Sequence, residues 1–332
     1  MTNSKITESV IETFAIELLE KQGYQYIYAP DIAPDGERPG RQSYEDVLLT
    51  ERLQIAIRRI NPNVPVDSLD ESLKEIQRIN SPELLANNET FHRILTEGSK
   101  VSYQKEGNDR GDLVWLIDFE QPENNEFIVA NQFTVIENGN NKRPDIILFV
   151  NGLPLVVMEL KNPADENATV RSAYKQIETY KSIIPSLFTY NAFNIISDGL
   201  EAEAGSLSAG LTRFMAWKSA DGKEEASNLV SQLETLINGM LDKATLLDLV
   251  RHFVVFEKAP KSPSGDNRYN EASPSGDGGA IVSISTVKKL AAYHQYYAVN
   301  RAVESTLRAA SYSQLSSPLG DHRYNKASPL GE

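Results

Sequence analysis

The sequence predicts an α/β fold in which a mixed β-sheet is flanked by helices. Two observations support this fold class. A series of short apolar runs has the length and composition of strands, and one segment with the period of an amphipathic helix interrupts the series. A sheet with helices on both faces accommodates this order of elements. The strand-like runs lie at 113–119, 125–137, 143–161 and 191–199, and the helical segment lies at 167–184.

The first predicted element is an amphipathic helix over residues 7–22. Thr7 is its predicted N-cap, and Gly23 ends it. The apolar stripe that would face the core follows helical spacing. It comprises Val10, Ile11, Phe14, Leu18 and Leu19.

Shorter segments complete the domain on either side of the long strands. Residues 24–30 read as a short strand, and 43–60 and 67–97 have helical character, with the prolines of "NPNVP" between them. Pro82 begins a further helix at its first position. The sequence also predicts a strand within 210–222 and apolar segments at 227–241 and 244–256.

The composition changes after Lys258. Residues 262–277 and 317–332 are near-copies of each other, rich in Ser, Pro, Gly, Asp and Asn, and this composition is typical of flexible segments. We therefore predict a main domain over 1–260, a flexible insertion at 261–280, a separate segment at 281–310 and a flexible tail at 311–332.

The whole-chain composition excludes several classes of protein. The 332 residues, 40% of them hydrophobic, suffice for a sizeable core, and no apolar run is long enough to span a membrane. There is no cysteine and no signal-peptide pattern at the N-terminus, so we expect a cytoplasmic protein. The net charge of -13 argues against tight autonomous DNA binding, but it is compatible with a subunit that partners hold on DNA.

In "RPDIILFVNGLPLVVMELKNP", residues 143–163, three charged residues after the initial Arg143 stand among apolar ones: Asp145, Glu159 and Lys161. Glu159 and Lys161 project to one side of their strand, since side chains alternate. Asn151-Gly152 predicts a hairpin that brings Asp145 alongside this strand. Regular two-residue pairing would put Asp145 and Glu159 on opposite faces. If they share a metal, we predict a three-residue loop or a β-bulge, with Pro144 able to bend its strand.

Two carboxylates on one face offer the hard oxygen ligands that Mg²⁺ prefers. The backbone carbonyl of Leu160 lies between the two charged residues and can supply a further oxygen. Lys161 can orient a water or stabilise charge on a phosphate, so the pattern indicates metal-dependent hydrolysis of a phosphodiester. The motif is short, and an exposed hairpin end with a surface ion pair between Glu159 and Lys161 is the alternative.

Residues 143–163 resemble the nuclease core of the restriction (R) subunit of type I restriction-modification enzymes, which belongs to the PD-(D/E)xK superfamily. The resemblance implies a restriction-endonuclease-like core, with metal-binding and catalytic roles for Asp145, Glu159 and Lys161. The family's downstream Gln-x-x-x-Tyr falls on Gln176 and Tyr180, which share a helical face.

Two further segments carry the resemblance. The opening helix is similar to that of the family, which implies that Glu8 or Glu12 approaches the metal site; for Glu8, a favourable position at a helix N-terminus explains it equally well. Residues 290–306 resemble the adenine-recognising segment, with Gln295 as its key residue. No G-x-x-x-x-G-K-[ST] motif occurs in the chain, so we expect His294 and Gln295 to be idle here.

The resemblance thus implies an endonuclease domain that uses Mg²⁺ or Mn²⁺ to hydrolyse double-stranded DNA, as the N-terminal fragment of an R subunit truncated before its motor. In the full-length subunit, cleavage would be coupled to ATP-driven translocation, and the methylation and specificity subunits would choose the DNA. Two alternatives remain open: a catalytically inactive assembly module, and a self-sufficient repair nuclease of the same superfamily.

Overall fold

The computed structural model describes residues 7–162, 169–260 and 284–315. The helices are α1 (Glu8–Lys21), α2 (Thr50–Ile60), α3 (Val66–Gln77), α4 (Leu84–Glu97), α5 (Val170–Ile183), α6 (Pro185–Thr189), α7 (Gln232–Met240), α8 (Lys243–His252) and α9 (Tyr293–Leu315). The strands are β1 (Gln25–Tyr28), β2 (Ser99–Lys105), β3 (Asn108–Val114), β4 (Phe127–Asn131), β5 (Val135–Glu137), β6 (Asn140–Lys142), β7 (Ile146–Val150), β8 (Leu153–Leu160), β9 (Phe193–Ser197), β10 (Ala202–Gly205), β11 (Met215–Ala216), β12 (Val254–Pro260) and β13 (Ile284–Leu290).

Seven of these strands form one mixed sheet, in the order β1-β4-β7-β8-β9-β10-β11. The pairs β1/β4 and β8/β9 are parallel, and the other neighbours are antiparallel. Helix α1 contacts β1, β4 and β8, while α5 contacts β8 and β9. The prediction of a mixed sheet flanked by helices is confirmed.

The centre of the sheet is the core of the protein. Every residue of β4, β7, β8 and β9 is buried. Strands covered on both faces need apolar residues at successive positions, which accounts for the continuous apolar runs in the sequence. The charged residues of β8 therefore lie at the end of a deeply buried strand.

The opening helix is confirmed as α1, with Thr7 at the N-cap position. Its buried stripe differs from the predicted one, however. Ile11, Leu18 and Leu19 are buried, but Val10 and Phe14 are 52% and 37% exposed. The face that packs on the sheet is rotated by about one residue, and its remaining buried positions are Glu12, Ala15 and Ile16.

Four other predictions of secondary structure were wrong in their boundaries. The predicted strand at 113–119 is instead the end of β3, which pairs with β2 in an antiparallel hairpin over 99–114. The predicted strand at 125–137 is divided at Gln132, whose φ of 58° ends β4. The helix predicted from residue 43 begins only at Thr50, as α2. The helix predicted to begin at Pro82 begins at Leu84, as α4.

The boundary of the C-terminal part lies after Tyr293, not at residue 281. The chain forms two compact units, Met1–Tyr293 and His294–Glu332. Strand β13 lies in the predicted separate segment 281–310, yet it pairs along its whole length with β12. The two near-copies at 262–277 and 317–332 lie outside the described residues. No helix in the described part of the chain is long and apolar enough to cross a membrane.

Candidate active site

The β7–β8 hairpin positions the charged residues of the candidate site. Its turn is Asn151-Gly152, with φ of 52° and 84°, and Val150 pairs with Leu153 across it. The buried Asn151 side chain donates to the carbonyl oxygen of Leu116 at 2.9 Å, which fixes the turn to the preceding chain. A Cβ at Gly152 would lie 2.5 Å from the carbonyl oxygen of Leu49, so only glycine fits there.

A β-bulge sets the register that the site requires. Phe149 pairs with Pro154, but Leu148 pairs with Val156, so Leu155 is the extra residue of the bulge. Beyond it, Ile146 pairs with Met158, which places Asp145 next to Glu159 in the ladder. The predicted departure from regular two-residue pairing is confirmed, and its form is a bulge rather than a longer loop.

The carboxylates and the ammonium group meet at the end of this hairpin. The backbone N–H of Leu160 donates to Asp145 Oδ2 at 2.8 Å. Lys161 Nζ donates to Glu159 Oε1 at 2.6 Å and to the Leu160 carbonyl oxygen at 3.0 Å. Glu159 Oε2 is buried without a hydrogen-bond partner among the described residues. The structure therefore brings together Asp145, Glu159, Leu160 and Lys161.

Helix α5 contributes the two polar residues predicted from the Gln-x-x-x-Tyr pattern. Tyr180 is buried, and its hydroxyl donates to the Arg143 carbonyl oxygen at 3.3 Å. Burial raises the pKa of Tyr180, and the neighbouring Glu159 raises it further, while Gln176 acts in the opposite direction. Tyr180 and Gln176 thus border the carboxylates from the helix side.

Helix α1 reaches the site from another direction. Glu12 is buried and accepts hydrogen bonds from the side-chain amides of Asn131 and Gln132, the latter at 3.0 Å. Glu8 is half-buried, and its charge raises the pKa of both Asp145 and Glu159. Both acids of the opening helix therefore act on the site, and Glu12 is the one that neighbouring side chains hold in place.

Three polar residues near the site were not predicted: Tyr26, Asn131 and Gln132. Asn131 accepts a hydrogen bond from the Tyr26 hydroxyl at 3.1 Å and donates to Glu12. The backbone N–H of Gln132 donates to the Asp145 carbonyl oxygen at 3.2 Å. The polar pair Asn131-Gln132 inside the apolar run 125–137 was the available signal. Gln295, by contrast, lies in the first turn of α9 with an exposed side chain.

The negative charge of the site is only partly compensated. Burial raises the pKa of Glu159 and of Asp145, and the charge of Asp145 adds to the rise at Glu159, whereas Lys161 opposes both. Burial acts to lower the pKa of Lys161, but Glu159 and Asp145 outweigh it and raise the pKa overall. One ammonium group does not fully compensate two buried carboxylates.

The donor set fits one hard divalent cation. It offers two carboxylates, one of them with an unpartnered oxygen, and a backbone carbonyl. Lys161 Nζ already contacts Glu159 Oε1 and the Leu160 carbonyl, so a positive charge is accommodated between two of these donors. Among the described residues there is no cluster of three or more His, Cys, Asp or Glu suited to a metal. Mg²⁺ needs no such cluster, because it retains several waters.

The comparisons with known proteins agree on one group. The family described as "Type I restriction enzyme R protein N terminus" matches residues 5–213. The chain is 38% identical over 309 residues to the type I restriction enzyme HindI endonuclease subunit of Haemophilus influenzae, covering 92% of this chain and 27% of the relative.

Two further relatives carry similar names. The chain is 28% identical over 331 residues to a putative type I restriction enzyme MjaIXP endonuclease subunit of Methanocaldococcus jannaschii, covering 94% of this chain and 29% of the relative. It is 24% identical over 271 residues to the type I restriction enzyme EcoprrI endonuclease subunit of Escherichia coli, covering 78% and 77%. The chain thus spans less than a third of the length of the first two relatives.

Proposed function

The chain belongs to the family of type I restriction enzyme R protein N-termini, and we propose that it is a metal-dependent DNA endonuclease domain with a restriction-endonuclease-like core. The observation that carries this proposal is the convergence of Asp145, Glu159 and Lys161 at one end of the β7–β8 hairpin. The bulge at Leu155 brings Asp145 to the same face as Glu159. An ion pair between Glu159 and Lys161 alone would not require it, because these two residues are neighbours along one stretch of chain.

Asp145, Glu159 and the Leu160 carbonyl would hold the cation, which is Mg²⁺ or Mn²⁺. When bound, such an ion stabilises negative charge on a phosphate and makes a nearby water more acidic. Asp145 is oriented for this role by the hydrogen bond from the Leu160 N–H. Glu159 presents the unpartnered Oε2.

Lys161 is the residue that would act directly on the reacting groups. Its ammonium group is 2.6 Å from Glu159 Oε1 and partly exposed, so it can turn toward a phosphate without leaving the site. There it would orient the attacking water or stabilise the charge that develops on the phosphate oxygens. Tyr180 and Gln176 would position Glu159 and the Arg143 backbone, and Glu12 and Glu8 would support the cation from the α1 side.

The natural setting of this activity is a larger assembly. We propose that the chain acts on double-stranded DNA together with the methylation and specificity subunits of a restriction complex. In the full-length subunit, cleavage would be coupled to ATP-driven translocation, with Gln295 contacting adenine there. The support for this setting is the family membership and the names of the relatives.

The test is plasmid nicking by the chain with Mg²⁺ or Mn²⁺, compared with Lys161→Ala. A second lysine variant, Lys100→Ala at an exposed position of β2, is the matched control. Nicking by the parent and the control, but not by Lys161→Ala, supports the proposal. Absence of nicking by all three favours a non-catalytic assembly module, and cleavage confined to branched or single-stranded ends favours a repair nuclease.

A further inference from the structure

The hairpin formed by β5 and β6 leads directly into the strand that carries the site. We propose that residues 138–143, the contact segment, bind the backbone of the DNA duplex and hold the scissile phosphate beside Asp145. This inference rests on the proposed nuclease function and adds to it a named surface for the substrate.

The position of the contact segment is fixed relative to the site. Arg143 is two residues before Asp145, and its carbonyl oxygen accepts the 3.3 Å hydrogen bond from Tyr180. Helix α5 also contacts β6. A strand of DNA that lies along the contact segment would therefore run alongside the catalytic residues.

The hairpin is rigid at its base and exposed at its tip. Asn138 and Gly139 have φ of 50° and 76°, the backbone of a tight two-residue turn. Three contacts fix the base, so the tip keeps its direction without a ligand. They are Arg41 Nη2 to the Thr134 carbonyl at 2.5 Å, Ile136 N–H to the Tyr44 carbonyl at 3.0 Å, and Ser186 Oγ to Glu137 Oε2 at 2.7 Å.

The charge of the contact segment is unusual for this chain. The protein carries a net charge of -13, yet no acidic residue occurs between Glu137 and Asp145. Lys142 and Arg143 form no ion pair with any described residue, and Arg143 and Asn141 are exposed. Cationic and amide side chains are the groups that contact phosphate and sugar in protein–DNA complexes.

The shape of the hairpin suits a duplex. A two-stranded β-ribbon fits the major groove of B-DNA, and basic residues at its edge then meet the phosphates. The paired strands β5 and β6 form such a ribbon, with Lys142 and Arg143 at the end nearest the site. The contact segment therefore combines positive charge and amide groups on an exposed turn that leads along the chain into Asp145.

The experiment measures binding separately from cleavage. The chain is titrated onto a short fluorescein-labelled duplex in EDTA, and fluorescence anisotropy is recorded over a range of salt concentrations. The variant is Lys142→Ala combined with Arg143→Ala. We expect its affinity to fall by about tenfold or more, and the slope of log affinity against log salt to fall by about 0.9 for each phosphate that is no longer neutralised.

A matched control comes from the other exposed hairpin. Lys100→Ala combined with Lys105→Ala removes two exposed lysines from the β2–β3 hairpin, whose Glu106-Gly107 turn also has positive φ. We expect this control to bind the duplex within about twofold of the parent, since its two charges lie outside the proposed contact segment and screening weakens the effect of charges that do not contact the DNA. Thermal unfolding of both variants establishes that they are folded.

The outcomes separate this inference from the proposed function. Equal affinity of the contact-segment variant and the parent overturns the inference, as does an equal loss in both variants or a parent that binds no duplex at low salt. Nicking by the parent in Mn²⁺ in any of these cases leaves the nuclease function standing. If the contact-segment variant alone loses binding and the parent does not nick DNA, the result supports DNA binding by the contact segment and contradicts the proposed nuclease function.

Discussion

The backbone N–H of Leu160 donates a 2.8 Å hydrogen bond to Asp145 Oδ2. This bond joins the acid that precedes β7 to the residue that follows Glu159 in β8. A carboxylate held by the neighbouring strand cannot rotate freely, so its second oxygen has a defined direction. The geometry of the site is therefore set by the backbone of the hairpin as much as by its side chains.

Asp145→Asn tests the role of this acid in cation binding. The amide oxygen can still accept the hydrogen bond from Leu160, but the negative charge is lost. We expect the affinity for Mn²⁺, measured by isothermal titration calorimetry, to fall by about tenfold or more, since one charged ligand is worth more than about 1.4 kcal/mol in a buried site. An unchanged Mn²⁺ affinity in the folded variant would show that Asp145 is not a ligand.

Glu159→Gln tests the electrostatic cost of the buried carboxylates. Burial raises the pKa of Glu159 in the folded protein above its ordinary value, so the folded state binds the proton more tightly than the unfolded state. The resulting stability is present below the ordinary carboxyl pKa of about 4 and is lost as pH rises toward the raised pKa. The loss is about 1.4 kcal/mol for each pH unit between the ordinary and the raised pKa.

We therefore expect the parent in EDTA to lose stability relative to Glu159→Gln as pH rises from about 5 to the raised pKa of about 8. Urea unfolding at several pH values measures this difference. Added Mg²⁺ should reverse the loss in the parent and leave Glu159→Gln little changed. Parallel pH profiles for the two proteins would contradict the explanation.

Asn151→Ala tests how the hairpin turn is held. The Asn151 side chain is buried, donates to Leu116 and Asn125, and accepts from the Glu126 N–H at 2.8 Å. Its removal takes this partner from the Leu116 carbonyl and from the Glu126 N–H, whereas Asn125 Oδ1 keeps the hydrogen bond from the Asp118 N–H. It also places alanine at a φ of 52°. We expect the free energy of unfolding to fall by about 3 kcal/mol or more.

Asn138→Ala is the matched control for that prediction. Asn138 has a similar φ of 50° before a glycine, but it is exposed at the tip of the β5–β6 hairpin. Backbone strain alone should cost about 1 kcal/mol there. Urea unfolding of both variants gives the comparison, and equal losses would mean that the buried hydrogen bonds of Asn151 contribute little.

Lys288→Met tests a buried cation outside the site. Lys288 Nζ donates to Asn88 Oδ1 at 2.8 Å and to the Asn191 carbonyl at 2.7 Å, and its residue is almost fully buried. Burial lowers its pKa in the folded state, so the unfolded state binds the proton more tightly. Stability should rise with pH from the lowered pKa toward the ordinary value of about 10.4.

We expect the methionine variant to lose this alkaline rise and to be at least as stable as the parent near neutral pH, since a charge without a carboxylate partner is costly to bury. Thermal unfolding at pH values between neutrality and the ordinary lysine pKa measures both effects. His92 also faces this lysine: burial lowers the pKa of the imidazole, and the charge of Lys288 lowers it further. His92→Phe with Lys288 intact should retain the rise.

Much of the site could be predicted because its sequence signals are local. Asn151-Gly152 specifies the turn, and the separation of Asp145 from Glu159 demands an extra residue if their side chains are to meet. The bulge at Leu155 satisfies that demand. Gln176 and Tyr180 are likewise a local signal, because residues four apart in one helix lie on the same face.

The parts that were missed depend on contacts between distant segments. Glu12 is held by Asn131 and Gln132, which are about 120 residues away in the chain, and no local pattern links them. The β2–β3 hairpin was missed because its strands are mostly exposed and polar, so they lack the apolar alternation of a half-buried strand. The difference between the predicted and the observed buried face of α1 has a similar cause, since that face is set by the contacts of the helix with β1, β4 and β8.

The bulge at Leu155 has a consequence for how this segment can change over evolutionary time. The turn is pinned at Gly152 by its fit against Leu49, and the carboxylates stand at the far end of the strands. A single residue gained or lost between them would turn one acid away from the other. In natural variants of this hairpin, an inserted or deleted residue between the turn and one acid should therefore be accompanied by a second such change. Together the two changes keep both carboxylates on the same face of the sheet.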